Sequence, residues 1–178
     1  MFVQQLRHRL LILVTVVVAG CATPAPQKPM SLGIPETPAK LNPALKGHVS
    51  VRNVSGGQDT NAYWISKIDN ERFKSELEQS MNAMGYLAPK GIAGKYQLDD
   101  TLQYLDKPSF GDTLNFRSSV FYTLNGENGK KITFPVTAVG TATTSDTFLA
   151  DRERNADYRS IKENINLFLM NLSEQIIR

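Results

Sequence analysis

Residues Thr113–Thr144, TLNFRSSVFYTLNGENGKKITFPVTAVGTATT, are the stretch that decides the fold. Large apolar residues alternate with mostly polar ones over Thr113–Leu124 and again over Lys130–Thr144, which is the pattern of strands with one buried face. The glycines and asparagines of Asn125–Gly129 tolerate the positive φ angles of a tight loop. The stretch therefore predicts a long hairpin, and Pro135, which lacks an N–H donor, predicts a free edge or a bulge in its second strand.

The other predicted elements follow from the same kind of patterning on either side of the hairpin. They are a strand over His48–Val54, a helix from the N-cap Asp69 to Gly85, a strand over Gly94–Leu105, a polar loop over Ser145–Arg154 and a helix over Asn155–Gln175. The order β-α-β-β-β-α predicts a single α+β domain. Its four-stranded sheet is expected to be of antiparallel type, with both helices on one face and the other face open.

The start of the chain reads as an export signal. Arg7 and Arg9 precede an aliphatic run from Leu10 to Val18, which is about half the length that a membrane-spanning helix needs. The run ends in Val18-Ala19-Gly20-Cys21, which resembles the lipobox of bacterial lipoproteins. The resemblance implies that residues 1–20 are a signal peptide and that Cys21 becomes a lipidated N-terminus. A transmembrane anchor, or an ordinary cleaved signal with a chance cysteine, is the alternative.

The segment after the cysteine predicts a spacer between a membrane and a domain. Residues 21–46 contain six prolines, and proline-rich segments act as semi-rigid extended linkers. The domain is expected to span residues 47–178. Ala22 follows the cysteine where lipoproteins retained in the inner membrane tend to have aspartate. The lipobox resemblance therefore implies an outer-membrane protein on the periplasmic face, held through acyl chains on Cys21.

Charge and composition argue against a nucleic-acid-binding protein. The chain has a formal charge of +3, and residues 1–20 contain two arginines and no acidic residue, so the part from Cys21 onward is close to neutral at +1. A clustered basic face, typical of electrostatic nucleic-acid binders, is not expected. Cys21 is the only cysteine, so no disulfide is possible and the fold must depend on its apolar core.

Few residues have the chemistry of a catalytic centre. His48 is the only histidine after the signal segment and has no evident partner, which favours a surface position. Asp99 and Asp100 are neighbours, but adjacent residues of a strand point to opposite faces, so they do not form a close pair. Asp100 lies on the apolar parity, which indicates a bulge or a strand end, or else a buried functional carboxylate. The sequence has no phosphate-binding loop or metal-ligand cluster, and it predicts neither enzymatic activity nor a cofactor.

Two surfaces are candidates for binding a partner. The polar parity of the hairpin would expose Phe121 and Val139 among hydroxyl groups, a mixture typical of reversible protein contacts. Phe121 and Arg117 are expected to contribute most of the binding energy there, because aromatic and arginine side chains dominate such sites. Tyr63 and Trp64, on the loop before the first helix, are the second candidate, although the pair is also suited to covering the edge of the core.

The sequence as a whole resembles a set of small uncharacterised lipoproteins of proteobacteria. The resemblance rests on the lipobox, the hairpin, the strand end Val139–Thr143 and the helix sequence IKENINLFL at Ile161–Leu169. The layout is loosely similar to the lipopolysaccharide-assembly lipoprotein of the outer membrane. These features predict a non-enzymatic envelope lipoprotein that binds a protein partner in outer-membrane assembly or maintenance. The alternative is a periplasmic module that binds lipid, glycan or peptidoglycan, for which a large apolar pocket would be expected.

Overall fold

The computed structural model describes residues 41–57, 68–106, 111–145 and 149–175. After a 3-10 turn at Pro43–Leu45, the elements are β1 (Val49–Ser55), α1 (Asn70–Ala83), β2 (Tyr96–Asp106), β3 (Thr113–Gly126), β4 (Lys131–Thr143) and α2 (Leu149–Glu174). This order confirms the predicted α+β domain. The described residues belong to one compact unit, Leu32–Arg178. Among them, no helix is both long and apolar enough to cross a bilayer.

The four strands form one sheet in the order β1-β2-β3-β4. The hairpin pairs β3 with β4 from Thr113 opposite Thr143 to Asn125 opposite Lys131, and β2 also runs antiparallel to β3. β1 and β2 are parallel, so the sheet is mixed rather than wholly of antiparallel type. The reason is the connection, because a helix between two strands returns the chain to the end of the sheet from which it started.

Both helices cover the same face of the sheet, as expected. Tyr122 on β3 shows this, because its ring stacks on Phe168 of α2 at a centroid distance of 3.9 Å and lies 6.3 Å from Phe73 of α1. Phe134 of β4 meets the Phe168 ring edge-on at 5.6 Å. These aromatic side chains are the centre of one continuous apolar core, which excludes water from the helix-covered face.

α1 begins and ends at the residues that the sequence indicates. The Asp69 carboxylate accepts a hydrogen bond from the Arg72 N–H at 2.7 Å and so caps the first turn. Gly85, with a φ of 70°, follows the last turn in the left-handed conformation that glycine adopts without steric cost. Between these ends, Phe73, Leu77 and Met81 are completely buried.

α2 starts six residues earlier than predicted. Part of the expected loop Ser145–Arg154 is helical from Leu149, because its charged side chains have partners in the fold. Arg152 is buried and donates a hydrogen bond to the backbone carbonyl of Asp112 at 3.1 Å. A charged sequence that reads as a solvated loop is thus a helical turn packed beside the start of β3.

The predicted boundary between linker and domain, at residues 46 and 47, stays a prediction. Asn42 and Leu45 already pack on the domain, and the side chain of Leu45 is completely buried. Asn42 donates its side-chain amide to the carbonyl of Gln175 at 2.7 Å, while its backbone N–H donates to the hydroxyl of Tyr86 at 2.8 Å. The chain therefore enters the domain beside the end of α2.

Candidate functional site

The face of the sheet opposite the helices is the main candidate site, and we call it the open face. Strand residues alternate between the two faces, so the residues on the parity opposite the core point away from the helices. On β3 and β4 the burial pattern alternates almost without interruption over both strands. The open face consists of Arg52, Gln97, Asp99, Thr101, Asn115, Arg117, Ser119, Phe121, Thr123, Thr133, Pro135, Thr137, Val139 and Thr141.

Phe121 and Arg117, the two predicted partner-binding residues, both lie exposed on the open face. Phe121 is 38% exposed and sits opposite Pro135 of β4. Arg117 sits opposite Val139, which is 48% exposed. Each cross-strand pair therefore presents apolar surface to solvent, and four residues of β3, about 13 Å, separate the two pairs.

Pairs of hydroxyl groups surround Phe121 along the strands. The hydroxyl oxygens of Ser119 and Thr137 are 3.2 Å apart, as are those of Thr123 and Thr133. These side chains hold each other in place across β3 and β4, since cross-strand hydroxyl pairs contribute to sheet stability. The apolar groups of the open face are therefore presented on a rigid, hydrogen-bonded background.

The outer edge of β4 is unpaired within the sheet, as Pro135 predicts. Arg159 of α2 donates a hydrogen bond to the carbonyl of Thr141 at 2.5 Å, so this carbonyl points away from β3. Pro135 has the same parity as Thr141, and alternate residues direct their backbone groups to the same edge. The missing N–H of Pro135 therefore interrupts the free edge, which disfavours the addition of a foreign strand. Contacts made here would rely on side chains.

A polar cluster occupies the β1–β2 side of the open face. Arg52 forms an ion pair with Asp99, and its Nε lies 2.8 Å from a carboxylate oxygen of Asp99. The side-chain amide of Asn125 donates to the same carboxylate at 3.0 Å. Because both charges are satisfied and more than half of the Arg52 side chain is exposed, this pair contributes little to stability.

Asp100 points to the opposite face from Asp99 and is completely buried. The register of the sheet shifts on either side of it, between Val51 and Asn53 of β1 and between Leu102 and Tyr104 of β2, and the Asp100 carboxyl itself lies in the core. That this buried carboxyl is functional stays a prediction. Burial raises the pKa of Asp100 to about 8, and the negative charge of Asp99 adds to the shift. Neither carboxyl oxygen has a hydrogen-bond partner among the described residues. At neutral pH the group is therefore mostly protonated, and the helices separate it from any substrate in solvent.

A second buried polar group lies between the sheet and α2. The hydroxyl of Tyr122 donates to the side-chain oxygen of Asn164 at 2.8 Å, and the Asn164 amide donates to the carbonyl of Val136 at 3.1 Å. Ser160 donates to the hydroxyl of Ser118 at 2.8 Å. Burial, followed by the charge of nearby Asp100, raises the pKa of Tyr122 well above its ordinary value. The network has no opening to solvent among the described residues, so its role is to join α2 to β3 and β4.

A cleft lies at the hairpin end of the sheet. Its volume is about 290 Å³. It is lined by Lys95, Tyr96, Leu124, Gly126, Glu127, Asn128, Lys130 and Ile132. The lining mixes an aromatic ring and aliphatic groups with two lysines and a glutamate, and the Lys95 ammonium lies 5.8 Å from the centre of the Tyr96 ring. The cleft is smaller than the pockets that usually enclose a whole small-molecule ligand.

The other candidate residues divide into those at the surface and those outside the described chain. His48 is exposed at the start of β1. The predicted lipidation site Cys21 and the loop residues Tyr63 and Trp64 lie outside the described residues. Over the described ranges, no three histidine, cysteine or carboxylate side chains come together as metal ligands do.

Comparison with known proteins gives matches only among solved structures. No family profile and no curated protein matches the chain. A candidate lipoprotein from Caulobacter crescentus is 14% identical, with a TM-score of 0.43, and the match covers 57% of this chain and 77% of that one. A hypothetical protein from Chlamydia trachomatis is 8% identical, with a TM-score of 0.46 and coverage of 71% and 93%. A lipoprotein from Neisseria meningitidis is 9% identical, with a TM-score of 0.39 and coverage of 72% and 98%. At these identities and TM-scores, no residue role is carried over.

Proposed function

We propose that this chain is a lipid-anchored lipoprotein of the bacterial envelope that binds a protein partner through its open face. The anchor is Cys21, in the lipobox-like sequence VAGC. The finer parts of the proposal are attachment to the outer membrane, a role in its assembly or maintenance, and the absence of enzymatic activity. Ala22 after the cysteine supports the first of these.

The observation that carries the proposal is the exposure of Phe121 and Val139 on a sheet face that neither α1 nor α2 covers. These two side chains lie about 13 Å apart on one face, Phe121 beside Pro135 and Val139 beside Arg117, with the Ser119–Thr137 hydroxyl pair between them. Apolar groups interspersed with polar ones are typical of reversible protein interfaces. Phe121 and Arg117 belong to the residue types that contribute most to such interfaces.

The alternative of a lipid-, glycan- or peptidoglycan-binding module receives less support. It predicts a large apolar pocket, and the cleft of about 290 Å³ at the hairpin end of the sheet has a lining that is partly charged. The open face offers side-chain hydroxyls in pairs that bond to each other rather than to a ligand. The loop with Tyr63 and Trp64 is the second candidate for contact with a protein partner.

Site-specific photocrosslinking in cells tests the open face. A photoreactive phenylalanine derivative placed at Thr133, next to Phe121 on the open face, is expected to capture a protein partner. The same group at Lys74, on α1 and therefore on the helix side of the sheet, is the matched control and is expected to capture none. The partner should be identified by mass spectrometry.

Truncation of the two expected anchors then tests their energetic role. In the Thr133 crosslinking background, Phe121→Ala and Arg117→Ala are each expected to reduce capture about tenfold or more, as for residues at the centre of an interface. Thermal unfolding of each purified variant checks that the domain still folds. Capture at undiminished yield in both variants would exclude Phe121 and Arg117 as the main contributors to binding. Absence of capture from Thr133 in the parent chain would exclude the open face, and the Tyr63–Trp64 loop would be tested next.

A further inference from the structure

One end of the domain gathers the point of chain entry, most of the exposed lysines and several exposed apolar side chains. We call it the linker end, because the described chain begins there at Leu41. Asn42 lies beside Gln175 at the end of α2, and the Gly47 N–H donates to the carbonyl of Gly85, just after α1, at 2.9 Å. Both helices therefore end at the linker end.

The sheet topology brings four strand termini to the same place. β1 and β2 are parallel and both start there, with Val49 opposite Tyr96. β3 ends there and β4 starts there, since Gly126 lies opposite Tyr96 and Asn125 opposite Lys131. The loop after α1 and the tip of the hairpin are therefore neighbours in space, although they lie far apart in sequence.

The charge of the linker end is positive. Its exposed lysines are Lys46, Lys90, Lys95, Lys130 and Lys131, and its acidic residues in the described chain are Glu127 and Glu174. The opposite end of the domain has a slight negative balance among the described residues, with Asp69, Glu71, Asp112, Glu153 and Asp157 against Arg72, Arg152, Arg154 and Arg159. The domain is thus polarised along its strands, although its net charge is small.

Exposed apolar side chains accompany these lysines. Among the described residues, the large apolar side chains that are exposed are Leu41, Ile92, Phe121, Val139 and Met170. The last two turns of α2 and the loop before β2 place Met170 and Ile92 at the linker end with Leu41. Ile92 is 63% exposed, the largest fraction of the five. Lysines interspersed with exposed aliphatic groups are typical of a surface that lies at a lipid headgroup layer.

We propose that the linker end is a membrane-docking surface that lies against the anionic phospholipid headgroups of the bilayer to which the chain is anchored. The proposal rests on the lipid anchor of the proposed function. Residues 22–40 join Cys21 to this end, so the predicted anchor is attached to the end of the domain that carries these lysines. Charge complementarity identifies the occupant, since lysines near a surface of anionic lipids are attracted to it.

The cleft of about 290 Å³ lies within this surface and specifies the contact further. Lys95, Lys130 and Glu127 all line it, so the cleft offers two cationic side chains and one carboxylate to a lipid headgroup. Tyr96 and Ile132 provide apolar lining. The bilayer contact would leave the open face accessible. The open face runs along the length of the strands, whereas the linker end lies at the strand termini.

Vesicle flotation with the unlipidated full chain, Cys21→Ser, tests the docking surface without the anchor. The vesicles are phosphatidylcholine alone or phosphatidylcholine with phosphatidylglycerol at about 2:1, which supplies anionic headgroups. The chain is expected to bind the anionic vesicles more tightly. Residues 1–20 are identical in every variant, so comparisons between variants isolate the domain.

The test pair is Lys95→Glu with Lys130→Glu, which should lower affinity for anionic vesicles at least about tenfold, since each lysine near such a surface contributes about fivefold. Binding to neutral vesicles should not change. The control pair, Lys74→Glu with Lys162→Glu on the two helices, changes the net charge equally and should retain the affinity. Thermal unfolding verifies that both pairs fold.

Two outcomes would overturn the proposal. One is equal loss of binding in the two pairs, which would indicate a net-charge effect, and the other is no loss in the Lys95–Lys130 pair. Neither outcome bears on the proposed function itself, because the anchor is tested by acylation at Cys21 and the open face by crosslinking at Thr133. A chain that is acylated and captures its partner, but whose linker end does not bind anionic vesicles, would contradict only the docking surface.

Discussion

At the scale of single residues, Asp100 is the side chain that departs most from its ordinary chemistry. It is completely buried, it has no hydrogen-bond partner among the described residues, and its pKa is raised from 3.8 to about 8. The cause is mainly burial, which disfavours the charged carboxylate. Folding therefore binds a proton at any pH between these two values.

The sign of the resulting pH dependence follows from proton counting. Between about pH 4 and about pH 8 the folded state holds a proton on Asp100 that the unfolded state has released, so stability falls as pH rises. Within this window, titration of Asp100 should lower the free energy of unfolding by about 1.4 kcal/mol for each unit that the pH rises. Outside the window, Asp100 should add no pH dependence to stability. We expect Asp100→Asn to remove this slope and to be more stable than the parent chain at the alkaline end.

Urea denaturation of both chains at several pH values measures the difference. Comparing the two chains cancels the other groups that titrate, such as Glu76, whose pKa burial also raises. Asp99→Asn is the matched control, because this neighbouring carboxylate lies on the open face and pairs with Arg52. A parent chain and an Asp100→Asn chain with parallel stability profiles would contradict the protonated, buried carboxyl.

At the scale of elements, the contact between α2 and β4 depends on the absence of a side chain. Gly140 on β4 lies so close to the helix that an added Cβ would overlap the Ala156 carbonyl oxygen and the Ser160 N–H nitrogen. Ala156 itself is completely buried. This close approach brings the hydroxyl of Ser160 to the carbonyl of Ala138, at 3.3 Å, and so allows the buried network to form.

We therefore expect Gly140→Ala to destabilise the domain by at least about 2 kcal/mol, because backbone atoms on a packed helix cannot move aside as a flexible side chain can. Gly111→Ala is the control, since its nearest neighbour would be the Thr113 carbonyl oxygen at 3.8 Å, and it should change stability by less than about 0.5 kcal/mol. Chemical denaturation of both variants gives the comparison. Equal stability of the two would contradict the close packing of α2 on β4.

The elements also show what the sequence can and cannot predict. Alternation over Thr113–Leu124 predicts the strand and its buried face because side-chain direction has a period of two. The same alternation carries no information on strand direction, so the parallel pairing of β1 with β2 depends on the connection through α1. The sequence does not predict the early start of α2, because an arginine such as Arg152 is expected in solvent. The structure instead buries Arg152 against the Asp112 carbonyl.

For the candidate sites, the odd or even position of a residue along a strand predicts which face of the sheet it lies on, whereas its polarity does not. Parity correctly predicts Phe121 and Arg117 on the open face, and it marks Asp100 as unusual. The network of Ser118, Ser160 and Asn164 was not foreseen, because these residues are polar and such side chains usually face water. Two signals were present: Ser118 lies on the buried parity of β3, and Ser160 and Asn164 are one helical turn apart on the core side of α2.

At the scale of the whole molecule, the arrangement assigns different surfaces to different contacts. The helix-covered face holds the core, the open face presents Phe121 and Arg117, and the lysines of the linker end lie where the chain enters. A protein held at the bilayer by its first residue needs a second surface that stays accessible, and the perpendicular arrangement of the linker end and the open face provides it. The proposed bilayer contact of the linker end depends on Cys21 being the point of attachment.

The anchor prediction is that Cys21→Ser abolishes incorporation of labelled fatty acid and moves the protein out of the membrane fraction. The thioether to a diacylglycerol forms on the cysteine sulfur, and a serine hydroxyl does not replace it. Two or three acyl chains bind a bilayer essentially permanently, whereas a single chain binds only marginally, so loss of the lipid should be evident in simple fractionation. Ala22→Asp is the companion variant: it keeps the cysteine and should stay acylated, but it should move from the outer to the inner membrane. Labelled fatty acid in the Cys21→Ser protein would disprove the anchor, while an Ala22→Asp protein that remains in the outer-membrane fraction would disprove only the sorting role of Ala22.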